Sequence, residues 1–217
     1  TKVYLIRHGK TEWNLEARYQ GAHGDSPLLP SSYREIELLA ESLRAVPIVH
    51  VYTSPLKRAR VTAGTLIKRL GKQIPLTIDS RLQEFNLGKM EGMHFTDVAD
   101  KWPETLHNFR HHPDLFDETV VESESFQQVI QRMGAAIREF CRNNHDQDIV
   151  VVSHGAALNA SINALAGASL EHLKDRGGLS NTSTTILSTE DAEHFKLEKW
   201  NDTSYLNKQK IDPTDTI

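Results

Sequence analysis

The sequence contains one cysteine, Cys141, among 217 residues, and it has no long apolar run. A single cysteine excludes an internal disulfide and is typical of proteins in a reducing compartment. The apolar runs fall well short of the roughly 18–20 residues that a membrane-spanning helix requires. Residues 1–6 lead directly from a short apolar segment into a polar motif, so we expect no signal peptide in this chain. Together these features predict a cytoplasmic protein.

The chain also lacks a strong excess of either charge. It has 25 Lys and Arg against 29 Asp and Glu, which gives a formal net charge of -4. This mild acidity argues against nucleic acid as the main partner, because a nucleic-acid surface needs a basic patch. The net charge does not exclude a small anionic ligand, since a few local cations can dominate the potential in a cleft. We expect a small-molecule ligand, no nucleic acid and no membrane, and the sequence does not indicate an oligomeric state.

Short apolar runs alternate with amphipathic stretches along the chain. Apolar, β-branched runs predict strands at residues 3–6, 48–52, 76–78 and 149–152, and a terminal hairpin at 184–188 and 194–200. Helical spacing predicts helices over 28–45, over 55–70 with Pro55 in the first turn, from Ser125 through Phe140, and over 156–165. Ser125 and Gln128 match the capping box that starts a helix. This alternation predicts an α/β fold with helices on both faces of the sheet.

Residues 89–121 interrupt the alternation. Long irregular segments are often functional, and open α/β sheets bind ligands at the carboxyl edge of their strands. We interpret the segment as a cap inserted over that edge, with an ordinary irregular crossover as the alternative. The chain is then one domain over residues 1–217, with a core of about 1–88 and 122–200 and a polar, loosely held tail at 201–217.

Two predicted strands end in the same way. One leads into His8 and Gly9, and the other leads into His154 and Gly155. If the strands are parallel neighbours, both histidines lie at one end of the sheet. A glycine after each histidine permits a sharp turn and a close approach of the backbone to a ligand. The repeated pattern indicates a shared site.

Four blocks of sequence extend this observation. They are R-H-G-K-T-E-W-N at 7–14, S-P-L-K-R-A-R-V-T-A at 54–63, R-L-Q-E at 81–84 and S-H-G at 153–155. In this order the blocks resemble the histidine phosphatase superfamily, the phosphoglycerate mutase-like enzymes, over residues 3–155. The resemblance implies a three-layer α/β/α sandwich with a mostly parallel sheet. It also implies a site that uses no metal or other cofactor and forms a phosphohistidine intermediate.

The chemistry of phosphoryl transfer gives these residues roles. The reaction needs a nucleophile, positive donors around phosphate and an acid at the leaving oxygen. His8 is the candidate nucleophile, because a neutral imidazole can attack phosphorus when its other nitrogen is held by a hydrogen bond. Arg7 and Arg58 can grip phosphate oxygens, and Arg58 lies near a helix N-terminus that favours anions. A protonated His154 would add a donor once a dianion is bound, although the cations alone would lower its pKa.

Glu84 is the candidate general acid, which protonates the leaving alkoxide and later takes a proton from water. It matches the family's acid position, and Glu91 is the competing carboxylate. Asn14 can donate its side-chain amide to a phosphoryl oxygen. The remaining candidates for substrate binding are Gln20, Gly21 and Gly155, although a packed turn is an equal alternative for the first two.

Three other classes of site fit the sequence less well. A nucleotide P-loop would need a glycine where Tyr4 stands, and a cysteine phosphatase would need an arginine where Gln147 stands. His107 and His111 have i, i+4 spacing, but no H-E-x-x-H motif or cysteine cluster supports a metal site. We therefore expect no functional metal.

The expected function is a metal-independent phosphomonoesterase that acts through phosphohistidine on a small phosphorylated metabolite. A cofactor-dependent phosphoglycerate mutase is the alternative. The resemblance favours a phosphatase, because the family's familiar mutases carry a longer insertion after the acid than residues 89–121 provide. A catalytically inactive binding module on the same fold is a remote third reading.

Overall fold

The computed structural model describes residues 1–207, and a six-stranded sheet forms its centre in the order β3-β2-β4-β1-β5-β6. The first four strands in this order are mutually parallel, whereas β5 runs antiparallel to both of its neighbours, β1 and β6. The predicted mostly parallel sheet and the terminal hairpin are confirmed. The strands are β1 (Lys2–Arg7), β2 (Ile48–Thr53), β3 (Leu76–Ile78), β4 (Asp148–Ser153), β5 (Thr184–Ser188) and β6 (Lys196–Asp202).

Helices cover both faces of this sheet and complete the predicted α/β/α sandwich. The helices are α1 (Glu12–Leu15), α2 (Pro30–Leu43), α3 (Lys57–Leu70), α4 (Phe95–Lys101), α5 (Pro103–His111), α6 (Phe126–Asn143) and α7 (Gly155–Leu165). α2 packs beside α3, and α6 packs beside α7. No helix within residues 1–207 is long and apolar enough to cross a bilayer.

The central strand β4 shows why a continuous β-branched run belongs in the middle of the sheet. Its side chains point alternately to the two faces. Ile149 and Val151 enter the core that contains α6 and α7. Val150 and Val152 enter the other core, which contains α2 and α3. A strand that is buried on both faces leaves no position for a polar side chain before its end.

The start of α6 follows the predicted capping box. The backbone nitrogen of Gln128 donates to Oγ of Ser125 at 3.1 Å, and the backbone nitrogen of Ser125 donates to Oε1 of Gln128 at 2.8 Å. Phe126, Val129 and Met133 then lie buried on one face at helical spacing. Local sequence therefore sets both the start and the packing face of this helix.

Residues 89–121 leave the core and return to it at one point. The backbone nitrogen of Lys89 donates to the carbonyl of Val121 at 2.7 Å, so the two ends of the segment meet. Gly88, with φ at +57°, makes this approach possible, since a Cβ there would collide with the carbonyl of Val121. Between these ends lie α4, α5 and two short 3₁₀ helices. Phe109 anchors the segment against Phe85, with ring centroids 5.4 Å apart.

Two predicted boundaries are wrong. Helix α3 begins at Lys57 rather than at Pro55. The predicted loose tail also starts too early, because β6 continues to Asp202 and a 3₁₀ helix follows at Ser204–Leu206. Leu206 is buried there, so an apolar contact holds a stretch that is mostly polar in sequence. Residues 208–217 of the predicted tail lie outside the described residues.

Candidate active site

The ends of β1 and β4 bring the two histidines together. The register pairs Arg7 with Ser153, so the residue after each strand reaches the same edge of the sheet. The rings of His8 and His154 are both buried, with centroids 5.2 Å apart. The repeated strand-His-Gly pattern thus marks one location in the fold.

The imidazole of His8 is held in one tautomer. Its Nδ1 lies 2.7 Å from the carbonyl oxygen of Gly9, which can only accept, so Nδ1 carries the proton. Burial lowers the pKa of His8 well below its usual value, and the positive charges of Arg58 and Arg7 lower it further. His8 is therefore a neutral imidazole whose Nε2 keeps its lone pair.

His154 lies beside Ser54, with 2.7 Å between Nε2 of the ring and Oγ of the serine. Burial lowers the pKa of His154 well below its usual value, and the charge of Arg58 adds to this effect. The protonated form expected as a phosphate donor is therefore disfavoured without an anion beside it. A phosphoryl dianion would supply the missing counter-charge, as the sequence argument requires.

Arg7 is buried at the end of β1 and lies against the first residue of α7. Its NH1 donates to the carbonyl of Leu179. A Cβ on Gly155 would lie only 3.0 Å from Nε of Arg7, so glycine is what allows the guanidinium to lie there. Gly155 thus makes room for a neighbouring cation, and its predicted contact with the substrate stays a prediction.

Arg58 is held by the loop that follows α1. Its NH2 donates to the carbonyl of Gly21 at 2.8 Å, and its NH1 donates to the carbonyl of Gly24 at 2.7 Å. NH1 also forms an ion pair with Asp25 at 3.1 Å. Burial lowers the pKa of Arg58, whereas the charges of Asp25 and Glu84 raise it. Several anchors thus hold a desolvated cation in one place.

The N-terminus of α3 carries an anion, but this anion belongs to the protein. Oδ2 of Asp25 accepts a hydrogen bond from the backbone nitrogen of Lys57 at 2.7 Å. We expected this helix terminus to favour a bound phosphate, and the carboxylate of Asp25 uses it instead. The same contact explains why α3 begins at Lys57, since a side chain from a distant loop caps the helix.

The carboxylate of Glu84 is buried at the N-terminus of α7. Oε1 accepts from the backbone nitrogens of Phe85 and Ala157, both at 2.8 Å. Oε2 accepts from the backbone nitrogen of Ala156 at 3.2 Å. A carboxylate is favourable at a helix N-terminus. The three donors hold the Glu84 carboxylate in one position, in the wall of a cavity.

Glu91, the competing carboxylate, connects two loops. Its Oε1 accepts from the backbone nitrogens of Ala22 and Leu87, both at 3.0 Å. Its Oε2 lies 2.9 Å from Nδ1 of His23. A Cβ on Gly21, whose φ is +62°, would collide with Oε1 of Glu91. The structure therefore gives Glu91 a role in holding the loop around Gly21.

Asn14 and Gln20 both lie at the site, but their amides are used differently. Oδ1 of Asn14 accepts from the backbone nitrogen of Thr11 at 3.1 Å, which leaves its amide nitrogen as the donating end. In Gln20, Nε2 donates to Oγ1 of Thr11 and Oε1 accepts from the backbone nitrogen of Ser26. Both ends of the Gln20 side chain are thus held by the protein, and the second N–H of Nε2 and the backbone stay available to a substrate.

A small, narrow cavity joins these residues. His8, Arg58 and Glu84 line it, together with Asn14, Gln20 and Gly21. The other three predicted residues adjoin this lining: His154 faces His8, and Gly155 contacts Arg7. Within residues 1–207, no three His, Cys, Asp or Glu side chains are grouped as metal ligands.

Sequence reasoning missed several residues that support the site. No sequence motif indicated Asp25, because it lies in a loop without hydrophobic periodicity. Asn181, whose Nδ2 donates to the carbonyl of His8 at 3.1 Å, is 173 residues away along the chain. Ser54 belongs to the block at 54–63, and its position before Pro55 was the available signal.

The chain is similar to known proteins over nearly its whole length. The model of the histidine phosphatase superfamily (branch 1) matches residues 3–203. A probable phosphoglycerate mutase GpmB from Enterobacter sp. (strain 638) is 31% identical over 218 residues, which cover 97% of each chain. YhfR from Bacillus stearothermophilus has a TM-score of 0.87 and 31% identity, over 95% of this chain and 99% of that one. A mycobacterial glucosyl-3-phosphoglycerate phosphatase in complex with VO3 has a TM-score of 0.83 and 25% identity, over 93% and 99% respectively.

Proposed function

Because the chain belongs to branch 1 of the histidine phosphatase superfamily, we propose that it is a metal-independent phosphomonoesterase that acts on a small phosphorylated metabolite. The superfamily places it among enzymes that transfer phosphoryl groups. The observation that carries the finer proposal is the neutral His8, whose Nδ1 is tied to a carbonyl and whose Nε2 keeps its lone pair beside Arg58 and Glu84.

In the first step, the lone pair on Nε2 of His8 attacks phosphorus while the bond from phosphorus to the ester oxygen breaks. Glu84, in its protonated form, gives a proton to the departing alkoxide, which leaves as an alcohol. The products of this step are the free alcohol, a phosphohistidine and the carboxylate of Glu84.

In the second step, the carboxylate of Glu84 takes a proton from a water molecule as its oxygen attacks phosphorus. The bond from phosphorus to nitrogen breaks, and the electron pair returns to Nε2 of His8. Inorganic phosphate leaves, and both residues regain their starting states. One carboxyl group therefore serves as acid and then as base.

The phosphoryl group needs positive charge around its oxygens in both steps. Arg7 and Arg58 are the buried cations that adjoin His8. Their guanidinium groups are held by backbone carbonyls, so little reorganisation is needed when a dianion binds. The dianion in turn would favour a protonated His154, which then donates to a third oxygen.

Phosphoglycerate mutase is the second candidate, and the name of the Enterobacter relative favours it. The two activities differ in what attacks the phosphohistidine: a second substrate hydroxyl in a mutase, or water in a phosphatase. A mutase must keep water from the intermediate. We favour the phosphatase because the segment that we interpret as a cap, residues 89–121, is short, and its ends meet at Lys89 and Val121. The mycobacterial structure, named as a phosphatase, aligns over 93% of this chain.

The test uses the purified protein with EDTA and a panel of phosphate monoesters that includes 3-phosphoglycerate with 2,3-bisphosphoglycerate. Inorganic phosphate and 2-phosphoglycerate are followed together. We expect release of phosphate without 2-phosphoglycerate. Rapid formation of 2-phosphoglycerate with little phosphate would establish the mutase instead, and turnover that needs added metal would contradict the proposed mechanism.

The nucleophile is tested by acid-labile, base-stable labelling with a ³²P-labelled ester. His8→Ala should lose the label and at least about 10³-fold in turnover, since the covalent route is removed. His172→Ala is the matched control, because His172 is an exposed histidine whose side chain is 60% accessible. Labelling or near-normal turnover in His8→Ala would exclude His8 as the nucleophile.

A further inference from the structure

Arg132 is a largely buried arginine that the proposed mechanism does not use. It lies in α6, and its side chain is 18% accessible. All five N–H donors of its guanidinium have acceptors, which is the full number that an arginine carries. The acceptors are the carboxylate of Glu124 and three backbone carbonyls in the segment that carries Glu84. A side chain with every donor engaged holds its partners in one arrangement.

The three carbonyls lie directly around the candidate acid. NH1 of Arg132 donates to the carbonyls of Arg81 and Gln83, both at 2.8 Å. NH2 donates to the carbonyl of Glu84 itself at 3.1 Å. The carbonyls of Gln83 and Glu84 belong to the two peptide groups that flank the Cα atom of Glu84. One planar guanidinium therefore holds the backbone on both sides of that atom.

Glu124 extends this contact to the residues after the acid. Its Oε2 accepts from Nε of Arg132 at 3.0 Å, and its Oε1 accepts from NH2 at 2.9 Å, so the ion pair is bidentate. Oε1 also accepts from the backbone nitrogen of Asn86 at 2.8 Å, and the backbone nitrogen of Glu124 donates to the carbonyl of Asn86 at 2.8 Å. Arg132 and Glu124 together therefore hold the chain from Arg81 to Asn86.

The chain around Glu84 depends on such side-chain contacts. Residues 83–87 lie between two 3₁₀ helices, Ser80–Leu82 and Gly88–Met90. The backbone of a helix or strand is held by hydrogen bonds within that element, whereas an irregular segment needs other partners for its carbonyls. The carboxylate of Glu84 is held at the start of α7, and its main chain is held by Arg132.

A general acid acts only where its proton can reach the departing oxygen, at about 2.6–3.2 Å between the heavy atoms. A displacement of about 1 Å can cost about 10²-fold in rate. The phosphoryl group is placed by His8, Arg7 and Arg58, which lie on other elements than the segment of Glu84. Movement of that segment would therefore lengthen the path of the proton and leave phosphate binding intact.

We propose that Arg132 is a positioning residue, which together with Glu124 sets the distance from the carboxyl group of Glu84 to the leaving oxygen. The inference rests on the proposed function, in which Glu84 is the acid. Arg132 contacts neither the substrate nor the reacting atoms, and it transfers no proton. Its loss therefore impairs only those reactions that need the acid.

The test compares an alkyl ester that the wild type hydrolyses, such as 3-phosphoglycerate, with p-nitrophenyl phosphate, whose leaving oxygen scarcely needs a proton. The kcat and KM of both esters are measured for the wild type, Arg132→Met and Arg132→Lys. Lysine keeps the positive charge but lacks the planar fork that reaches several acceptors. Urea unfolding of each variant confirms that it is folded.

Two further variants complete the set. Glu124→Gln is the milder change, because its amide oxygen can still accept from the backbone nitrogen of Asn86, and it replaces Arg132→Met if that variant does not fold. Arg142→Met is the matched control, because Arg142 lies on the same helix and forms an exposed ion pair with Glu193 at 3.1 Å.

We expect Arg132→Met to lower kcat for the alkyl ester by about 10- to 100-fold and for p-nitrophenyl phosphate by less than about 3-fold. KM should change by less than about 3-fold for either ester, since the contacts to phosphate remain. Glu124→Gln should show the same selectivity with a loss of about 3- to 10-fold, and Arg132→Lys should recover part of the alkyl activity. Arg142→Met should match the wild type.

A double variant shows whether Arg132 acts through the acid. In the Glu84→Gln background, Arg132→Met should lower alkyl turnover by less than about 3-fold more, because the group that it positions is already gone. Losses that multiply independently would overturn the inference. Equal losses on the two esters in the Arg132 and Glu124 variants would also overturn it, since they would show a structural role alone.

Amide hydrogen exchange tests the geometry without turnover. The backbone nitrogens of Ala156 and Ala157 lie in the first turn of α7 and donate to the carboxylate of Glu84. The backbone nitrogen of Leu158 donates instead to a carbonyl one turn earlier in the chain. Displacement of Glu84 should therefore expose the first two amides and spare the third.

In Arg132→Met we expect the amide of Ala157 to exchange at least about 10-fold faster while that of Leu158 keeps its rate. Arg142→Met should change neither. An unchanged rate at Ala157, or an equal increase at both amides, would overturn the inference. If no ester releases phosphate, the proposed function fails, and the exchange rates alone decide whether Arg132 positions Glu84.

Discussion

Oε1 of Glu84 accepts a hydrogen bond from the backbone nitrogen of Ala157 at 2.8 Å, three residues after His154. The N-terminus of α7 thus positions both the candidate acid and the second histidine. Because α7 begins at Gly155, any movement of this helix would displace both groups together. The relationship explains how residues 70 positions apart along the chain can hold a constant geometry around one phosphoryl group.

Replacing Glu84 should lower kcat more for esters whose leaving group needs a proton than for esters whose leaving group does not. In Glu84→Gln we expect kcat to fall by about 10²–10⁴ for alkyl esters, the usual contribution of a general acid. The loss should be less than about 10-fold for p-nitrophenyl phosphate, whose departing oxygen scarcely needs a proton. The amide nitrogen of the new side chain would also face one of the backbone N–H donors, so one hydrogen bond is lost. We expect the free energy of unfolding in urea to fall by about 0.5–1.5 kcal/mol.

Glu91→Gln is the matched control for this prediction, because Glu91 holds a loop and is not placed at the leaving oxygen. It should change KM for alkyl and p-nitrophenyl esters alike. Equal losses on both classes of ester in Glu84→Gln would count against the general-acid role.

Asp25→Ala should weaken phosphate binding and stability together. The variant removes the ion pair with Arg58 at 3.1 Å and the cap on the backbone nitrogen of Lys57. We expect a stability loss of about 1–2 kcal/mol in urea unfolding, the usual cost of a lost N-cap. KM for a phosphate ester should rise about 10-fold, since Arg58 loses an anchor. Asp175→Ala, which removes an exposed contact with His172, should change neither quantity, and an unchanged KM in Asp25→Ala would refute the positioning role.

Two glycines in helices should respond in opposite ways to alanine. A Cβ at Gly155 would lie 3.0 Å from Nε and 3.1 Å from Cζ of Arg7, so Gly155→Ala should displace that guanidinium. We expect the affinity for inorganic phosphate, measured by calorimetry, to fall at least about 10-fold. A Cβ at Gly64 meets nothing within 4 Å, so Gly64→Ala should stabilise the fold by about 0.5–1 kcal/mol without changing phosphate binding. Equal phosphate affinity in the two variants would contradict the role of Gly155.

Stability should fall as the pH drops below about 6.5, the usual pKa of histidine. Burial lowers the pKa of both His8 and His154 in the folded state, so the unfolded chain takes up two protons that the folded chain does not. Their contribution is complete above pH 6.5 and is lost progressively below it, by up to roughly 2.7 kcal/mol per pH unit for the two residues. Urea unfolding at pH 7.5 and 5.5 measures the effect.

His8→Gln should reduce this pH slope by about half, because one of the two buried groups no longer titrates. Inorganic phosphate should also make the fall shallower, since a bound dianion supplies the counter-charge that a protonated His154 lacks. A slope that His8→Gln leaves unchanged would show that other groups cause the pH dependence.

The elements that were predictable from the sequence depend on local signals. β4 is a continuous β-branched run, and the capping box of Ser125 and Gln128 starts α6 where it was expected. The meeting of His8 and His154 was also predictable, because each follows directly after a buried parallel strand. The resemblance to a family then located Arg58 and Glu84 at the same site.

The errors arose where a distant contact replaced the local rule. Pro55 has the sequence signature of a first helical turn, but Asp25 caps α3 from a loop 32 residues away. The stretch after Trp200 reads as a polar tail, yet pairing with β5 extends β6 to Asp202 and Leu206 packs into the fold. Composition alone cannot report either interaction, because both depend on which segments become neighbours.

The sequence by itself determined the sheet, its main helices and the chemical types gathered at the site. Hydrophobic periodicity and short motifs involve residues that are close together in the chain, so they can be recognised in the sequence alone. Only the tertiary structure decided which carboxylate faces the cavity, since Glu84 and Glu91 lie seven residues apart and differ in the backbone donors that surround them.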